Sequence, residues 1–265
     1  MLPYVYIGTF PLPSYWLMGV VGIAAAAICV IIRNRAFRVP SDDLLHITLL
    51  SAVGAGIGAK LLFLVSQIPY FIEHRDEITL SADTLRLLLS GGMVFYGGLI
   101  GGLAAALMYM RKYNVPAAPV FALVTPALPL FHAFARIGCF LTGCCWGVPS
   151  ERFGVAFTHS LAAPNGEPLL PVQLIESGYN FLLFLLLLIA ERRMRRRWMV
   201  FPLYAAGYAV MRFTLEFFRG DDRMRGIFFG MSTSQWVSMG ILLALIAWYI
   251  WYRARTRAQS APEKA

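Results

Sequence analysis

The hydrophobic positions of this chain fall into long runs, at about 14–32, 45–72, 87–110, 117–136, 171–190, 199–218 and 234–252, divided by short polar or Gly/Pro-containing segments. Runs of about 20 apolar residues are long enough to cross a bilayer as helices, and together they exceed what a water-soluble core would need. The pattern predicts an all-α integral membrane protein with about seven transmembrane helices. The first run lies too deep in the chain, and is too poorly cleavable, to be a signal peptide. No stretch is left over for a soluble domain, so residues 1–255 are expected to form a single transmembrane domain and 256–265 a polar, disordered tail.

Composition agrees: 58% of the 265 residues are hydrophobic and 14% charged. Charge then sets the orientation. Segments 33–40, 111–116, 191–198 and 253–265 hold 14 Lys or Arg, whereas the opposite segments hold seven, at Arg75, Arg86, Arg136, Arg152, Arg219, Arg223 and Arg225. That bias places the C-terminus in the cytoplasm and the N-terminus outside. The net charge of +9 is therefore an orientation signal with some attraction for anionic membrane lipids, and nucleic acid is not an expected partner. The segment 137–170, with clustered Pro, Gly and Asn, is expected to be an irregular outer loop or small extracytoplasmic cap.

Glycines recur at close-packing spacing in "GAGIGAK" (Gly54, Gly56, Gly58) and "GGMVFYGGLIGG" (Gly91, Gly92, Gly97, Gly98, Gly101, Gly102). Tight helix contact accounts for the second half of the latter, while glycine pairs flanking an aromatic suggest a span that begins irregularly, where protein or a wet cavity lines it.

Ionisable groups inside a bilayer are costly unless paired or hydrated, and each is a candidate site. Tyr208, Arg212, Glu216 and Arg219 stand at i, i+4, i+8 and i+11, one stripe of a helix. A self-neutralising Arg-Glu-Arg ladder is one account; even so, a second arginine keeps donors to spend. Arg136 ends the fourth run with His132 one turn before it, Lys60 lies among the glycines of the second, and Gln173 and Glu176 open the fifth. Snorkelling explains Arg136 alone, and a satisfied helix histidine explains His132 alone. Together, guanidinium forks gathered near the outer leaflet suit a lipid phosphate.

Of the cysteines, Cys29 lies in the first run, and Cys139, Cys144 and Cys145 are expected on the outer side. Their C-x4-C-C spacing is neither a zinc nor a haem pattern, so no metal and no cofactor is expected. A local disulfide from Cys139 to Cys144 or Cys145 is favoured over a vicinal redox pair.

In "FPLPSYWLMG", "GAGIGAKLLFLV", "GGMVFYGGLIGG", "ARIGCFLTGCCWG", "PVQLIES", "YAAGYAVMRFTLEFFRGDD" and "GMSTSQ", in this order and spacing, the chain resembles the bacterial prolipoprotein diacylglyceryl transferases over nearly its whole length. The resemblance implies a seven-span enzyme of the bacterial inner membrane. It would move the diacylglyceryl group of phosphatidylglycerol onto the lipobox cysteine of a preprolipoprotein signal peptide, releasing glycerol phosphate. The family's signature arginine falls on Arg136, its late arginine on Arg212 with a tyrosine partner at Tyr208, and its closing glycine on Gly147; Gln173 and Glu176 match a Gln-Leu-x-Glu element in which Leu170 stands where a histidine is common. The chain departs at Tyr96, where the family has a histidine before Gly97 and Gly98, at Cys139 for an asparagine, at Cys144 for a glutamate and at Lys60 for an arginine. Arg136 and Arg212 would then clamp the phosphate, with Tyr208 orienting one of them; Lys60, Gly97, Gly98, Gly147, Gln173, Glu176, Glu216 and Arg219 would serve substrate binding. Tyr96 and His132 are the two candidate bases. Two rivals stay open: a lipid-binding or transport relative without the chemistry, and a membrane thiol-disulfide protein.

Overall fold

The computed structural model describes residues 1–73, 94–221 and 227–260, with backbone alone at residues 7, 69–73, 95, 96, 228 and 257–260. Expectations that rest on Arg75, Arg86, Gly91, Gly92, Arg223, Arg225 and the start of the third run lie outside the described residues. In chain order come a hairpin of β1 (Tyr4–Ile7) and β2 (Phe10–Pro13), then α1 (Ser14–Phe37), α2 (Ser41–Glu73), α3 (Phe95–Lys112), α4 (Ala117–Val124) and α5 (Ala127–Thr142). Short strands β3 (Val155–Ala156) and β4 (Pro168–Leu169) precede α6 (Val172–Arg193) and α7 (Val200–Leu215), and β5 (Ile227–Phe228) and β6 (Met231–Ser232) precede α8 (Thr233–Ser260). Each strand pair is antiparallel.

Among the described residues, five helical stretches are long and apolar enough to cross a membrane: Ser14–Phe37, Ser41–Ile68, Ala117–Thr142, Val172–Arg193 and Thr233–Thr256. In the first and last, only 6% of the most apolar window is buried, so Ile23, Ile31, Leu243 and Ile250 face outward. Exposed apolar surface on this scale belongs against hydrocarbon. The helical, multi-pass character read from the sequence therefore stands.

The chain forms two compact units, one of Met1–Phe37 with Phe121–Ala265 and one of Arg38–Val120. The second is built on the crossing of α2 and α3. A Cβ added at Gly58 would meet the Gly97 carbonyl oxygen at 2.2 Å, and one at Gly101 would meet that of Gly54 at 2.2 Å. Gly98 faces Ala55, and Gly102 faces Ser51. Only glycine lets the backbones approach this closely, and dispersion rather than water expulsion holds them in an apolar solvent. Tyr109 Oη donates to Asp43 Oδ1 at 2.9 Å at one end of the pair.

In the first unit α1 packs on α5, where Gly22 faces Phe131 and Phe134 and Gly138 faces the Tyr15 backbone. From α5 onward each helix packs on the next along the chain. The fourth run is not one helix. Pro126 has no N–H to give the Ala122 carbonyl, and α4 ends there. Arg33 takes over: its Nη2 donates to Ala122 O at 2.9 Å, its Nη1 to Leu123 O, and the same guanidinium pairs with Glu191 of α6. Arg33 thus belongs to α1 and its polar clamp, a correction to its place among the loop charges.

Three other boundaries differ from expectation. Helix α5 runs on to Thr142, because nothing breaks it before Gly143, which adopts a left-handed φ of 75° and caps it. Arg136 and Cys139 therefore lie within a helix. Helix α7 tightens into a 3₁₀ turn over Glu216–Phe218 and then extends at Arg219, so the stripe from Tyr208 does not reach Arg219 on one helical face. Helix α8 continues through residue 260, into the segment expected to be disordered, and the Thr256 hydroxyl bonds back to the Tyr252 carbonyl at 3.0 Å. The segment after α5 is a small folded cap whose buried Phe157, Ala163 and Leu169 pack with Phe140 and Trp146.

Gly58→Ala should weaken the α2–α3 crossing by about 1–3 kcal/mol or more, because its methyl meets backbone that cannot give. Gly56→Ala, with open space within 4 Å, should leave stability unchanged or slightly raised. Thermal unfolding of the two variants in one detergent checks the contrast.

Candidate functional site

Four elements of the first unit bring their polar residues together. Helix α5 presents His132, Arg136 and Cys139 at i, i+4 and i+7, one face over two turns. Arg136 Nε pairs with Glu176 Oε1 of α6 at 3.0 Å, and the carboxylate is 5% exposed. Removing one partner of so buried a pair would strand the other at a cost of about 3–5 kcal/mol. Glu176 is thereby the residue that fixes Arg136. Its neighbours on α6 tie down the surrounding backbone: Gln173 Nε2 donates to Cys144 O at 2.7 Å, Ser177 Oγ to Ala133 O at 2.8 Å, and Asn180 Nδ2 to Glu176 O at 2.8 Å.

Helix α7 supplies Tyr204, Tyr208 and Arg212, one turn apart. The His132 ring lies 5.3 Å from that of Tyr208, and its Nδ1 is 3.5 Å from Tyr204 Oη. Arg212 Nη2 reaches Glu216 Oε2 at 2.9 Å and donates to Ser234 Oγ of α8 at 3.1 Å. The other amino group, Nη1, is buried without a hydrogen-bond partner among the described residues. A desolvated, positively charged donor held rigid on one side is a strong anion ligand on the other.

Arg219 does not extend an Arg-Glu-Arg ladder. It leaves the helix and forms a two-pronged pair with Asp221, Nε to Oδ1 at 2.8 Å and Nη2 to Oδ2. Its backbone bridges Gly147 across a junction of three segments. Gly147 N donates to Leu170 O at 3.1 Å, Gly220 N to Trp146 O at 3.0 Å, and a Cβ at Gly147 would sit 2.5 Å from Leu170 O. Gly147 therefore serves close backbone approach in the first instance.

The structure brings Arg136, His132, Tyr208, Gln173 and Glu176 into one cluster and continues it along α7 to Arg212 and Glu216. Lys60, Tyr96, Gly97 and Gly98 belong to the other compact unit: Gly97 and Gly98 pack against α2, Lys60 Nζ lies 4.9 Å from the Phe63 ring centroid, and the side chain of Tyr96 lies outside the described residues. Sequence reasoning overlooked Asn180, Ser177, Ser234 and Asp221. An Asn one turn after Glu176, inside "NFLLFLLLLIA", was the visible signal.

All four cysteines are free thiols, so the disulfide favoured from the sequence is not formed. Cys144 Sγ instead lies 3.6 Å from Cys139 O and 3.5 Å from Thr142 Oγ1. Cys145 takes a left-handed φ of 58°, which turns the chain back over the end of α5. Contacts from the Cys139 and Cys144 thiols, then the charges of Arg219 and Arg136, hold the Cys145 thiol well below its ordinary value, although burial opposes them.

A family model described as prolipoprotein diacylglyceryl transferase matches residues 3–251. The chain is similar to the phosphatidylglycerol–prolipoprotein diacylglyceryl transferase of Clostridium tetani, 35% identical over 85% of this chain and 87% of the relative. A protein of Clostridium perfringens with the same name, numbered 2, is 33% identical over 89% of each chain. That of Legionella pneumophila is 30% identical over 92% of this chain and 94% of its own.

Because the thiolate is the reacting form, alkylation of Cys145 should keep a nearly constant rate between about pH 6 and pH 8, below which ordinary thiols are protonated. Mass mapping of alkylated peptides across that range checks it. A rate rising about tenfold per pH unit would mean an ordinary thiol.

Proposed function

The chain belongs to the prolipoprotein diacylglyceryl transferase family, a transferase family of lipoprotein biosynthesis, and we propose that its reaction runs on the Arg136–Arg212 cluster of the first compact unit. The substrates are phosphatidylglycerol and the lipobox cysteine of a preprolipoprotein signal peptide, met in the bacterial inner membrane. The lipobox sulfur attacks the glycerol carbon that carries the phosphate ester. A carbon–sulfur bond forms, the carbon–oxygen bond breaks, and glycerol phosphate leaves with the electron pair.

The observation that carries this assignment is the buried Arg212 Nη1, which has no hydrogen-bond partner among the described residues while Nη2 is held by Glu216 and Ser234. A phosphate oxygen placed there completes the guanidinium's hydrogen bonding, and charge growing on the leaving group strengthens the contact in the transition state. Arg136, fixed by Glu176, supplies the second positive charge. His132 stands one turn from Arg136 with its ring 5.3 Å from that of Tyr208, and takes the thiol proton.

In the same proposal the chain crosses the membrane seven times, with its N-terminus outside and its C-terminus in the cytoplasm. Helices α3 and α7 add two spans to the five long ones, and the arginines at 192 and 193 in the last turn of α6 and at 195, 196 and 197 after it support the cytoplasmic assignment.

Arg136→Ala and Arg212→Ala should each abolish transfer from phosphatidylglycerol to a lipobox peptide, read by mass spectrometry of the purified, normally inserted protein; full turnover in either would remove the assignment. His132→Gln should lower kcat by about 10²–10⁴ with little change in KM for the lipid. Replacing Cys144 and Cys145 together with Ser should leave most activity under reducing conditions. Complete loss there would give the thiols a direct role.

A further inference from the structure

The spacing Cys139-x4-Cys144-Cys145 carries no metal signature, yet the fold gathers the three side chains. Their Sγ atoms all lie within 4.8 Å of one another. Two features of the backbone do this. Cys139 is the fourth residue from the end of α5 and projects near its final turn, and Gly143 reverses the chain in the left-handed region. Cys145, itself left-handed at φ 58°, then folds back over the helix end while Gln173 pins the Cys144 carbonyl at 2.7 Å. The left-handed conformation of a non-glycine residue costs about 1–3 kcal/mol and persists where surrounding contacts impose it.

We propose that Cys139, Cys144 and Cys145 form a three-sulfur site for a soft monovalent cation, Cu(I). With metal–sulfur bonds of about 2.3 Å, a trigonal site has sulfur–sulfur edges of about 4 Å, which this cluster meets with small side-chain rotations. Thiolate ligands select Cu(I) and zinc among biological metals. Zinc asks for four ligands. Among the described residues the polar groups beside these sulfurs are the Cys139 carbonyl, 3.6 Å from Cys144 Sγ, the Thr142 hydroxyl, 3.5 Å from the same sulfur, and the Arg136 guanidinium, whose Nη1 is 3.8 Å from Cys139 Sγ. A backbone carbonyl that already accepts from Cys144 and a neutral hydroxyl are poor zinc ligands and a guanidinium none, and among the described residues no fourth thiolate, imidazole or carboxylate joins the three. Charge points the same way: three thiolates around one Cu(I) carry two net negative charges, and Arg136 and Arg219 both act electrostatically on Cys145. Cys139 is 7% exposed, which shelters the site from solvent and oxidant. Binding makes three copper–sulfur bonds, leaves copper at the same oxidation state, and releases to solvent whatever protons the thiols carry.

The test uses the full chain in detergent, reduced and without air, with Cu(I) delivered from the chromogenic chelator bathocuproine disulfonate. One Cu(I) per chain is expected, with an X-ray absorption spectrum of three sulfur neighbours, and with all three thiols protected from maleimide while Cys29 is unaffected. Cys139→Ser, Cys144→Ser and Cys145→Ser should each lower affinity at least tenfold, and Cys29→Ser should not. Failure to compete with the chelator, labelling of the three thiols undiminished by Cu(I), or fewer than three sulfur neighbours would overturn the site. Tighter binding of Zn(II) than of Cu(I) would overturn the choice of cation. Thiol protection in the unaltered protein decides the matter even if a serine variant does not fold.

Discussion

A guanidinium carried away from water must be given a carboxylate or a carbonyl, and the first compact unit is organised by meeting that demand. Arg33 takes Glu191 with the carbonyls of α4, Arg136 takes Glu176, Arg212 takes Glu216, and Arg219 takes Asp221. The Arg33 and Arg136 pairs join residues far apart in sequence, so they fix which helices meet and at what height. Burial makes the pairing obligatory rather than generous: such pairs add little net stability, but losing one partner is costly. The arrangement also rations donors. Arg33 and Arg219 spend theirs within the protein, whereas Arg212 has one nitrogen left over among the described residues.

The second unit solves a different problem with different chemistry. Helices α2 and α3 meet through Gly54, Gly58, Gly97 and Gly101, where backbone lies against backbone. Close approach of this kind tolerates no added atom, so the crossing is fixed where the middle of α2 meets the first half of α3. Tyr109, stacked on His46 with ring centroids 5.7 Å apart and bonded to Asp43, fixes one end of the pair.

Much of this was legible in the chain. Apolar run length gave the helices, because a membrane span has few other ways to be written, and Arg136, Arg212, Glu176 and Gln173 stood out as charges and amides where hydrocarbon was expected. What could not be read were boundaries and partners. Nothing in a run of hydropathy marks where Pro126 splits a helix or where α5 outlasts Arg136, since both sides of each boundary are equally apolar. Arg33 looked like a loop charge because its partner, Glu191, lies 158 residues away. The cysteine cluster was hidden for a related reason: ligand spacing rules assume regular turns, and two left-handed residues at Gly143 and Cys145 replace them. Arg219 was misplaced by assuming that a periodicity of 3.6 continues through a helix end that tightens to 3₁₀.

Ser234, which helps hold Arg212, sits in the first turn of a helix whose apolar window is almost wholly exposed. That helix packs on α7 and turns most of its apolar surface toward acyl chains, and tilting is one way a helix so placed accommodates a change in membrane thickness. A tilt would carry the hydroxyl at its head with it, so the bond from Ser234 is the point through which lipid chain length would reach the guanidinium.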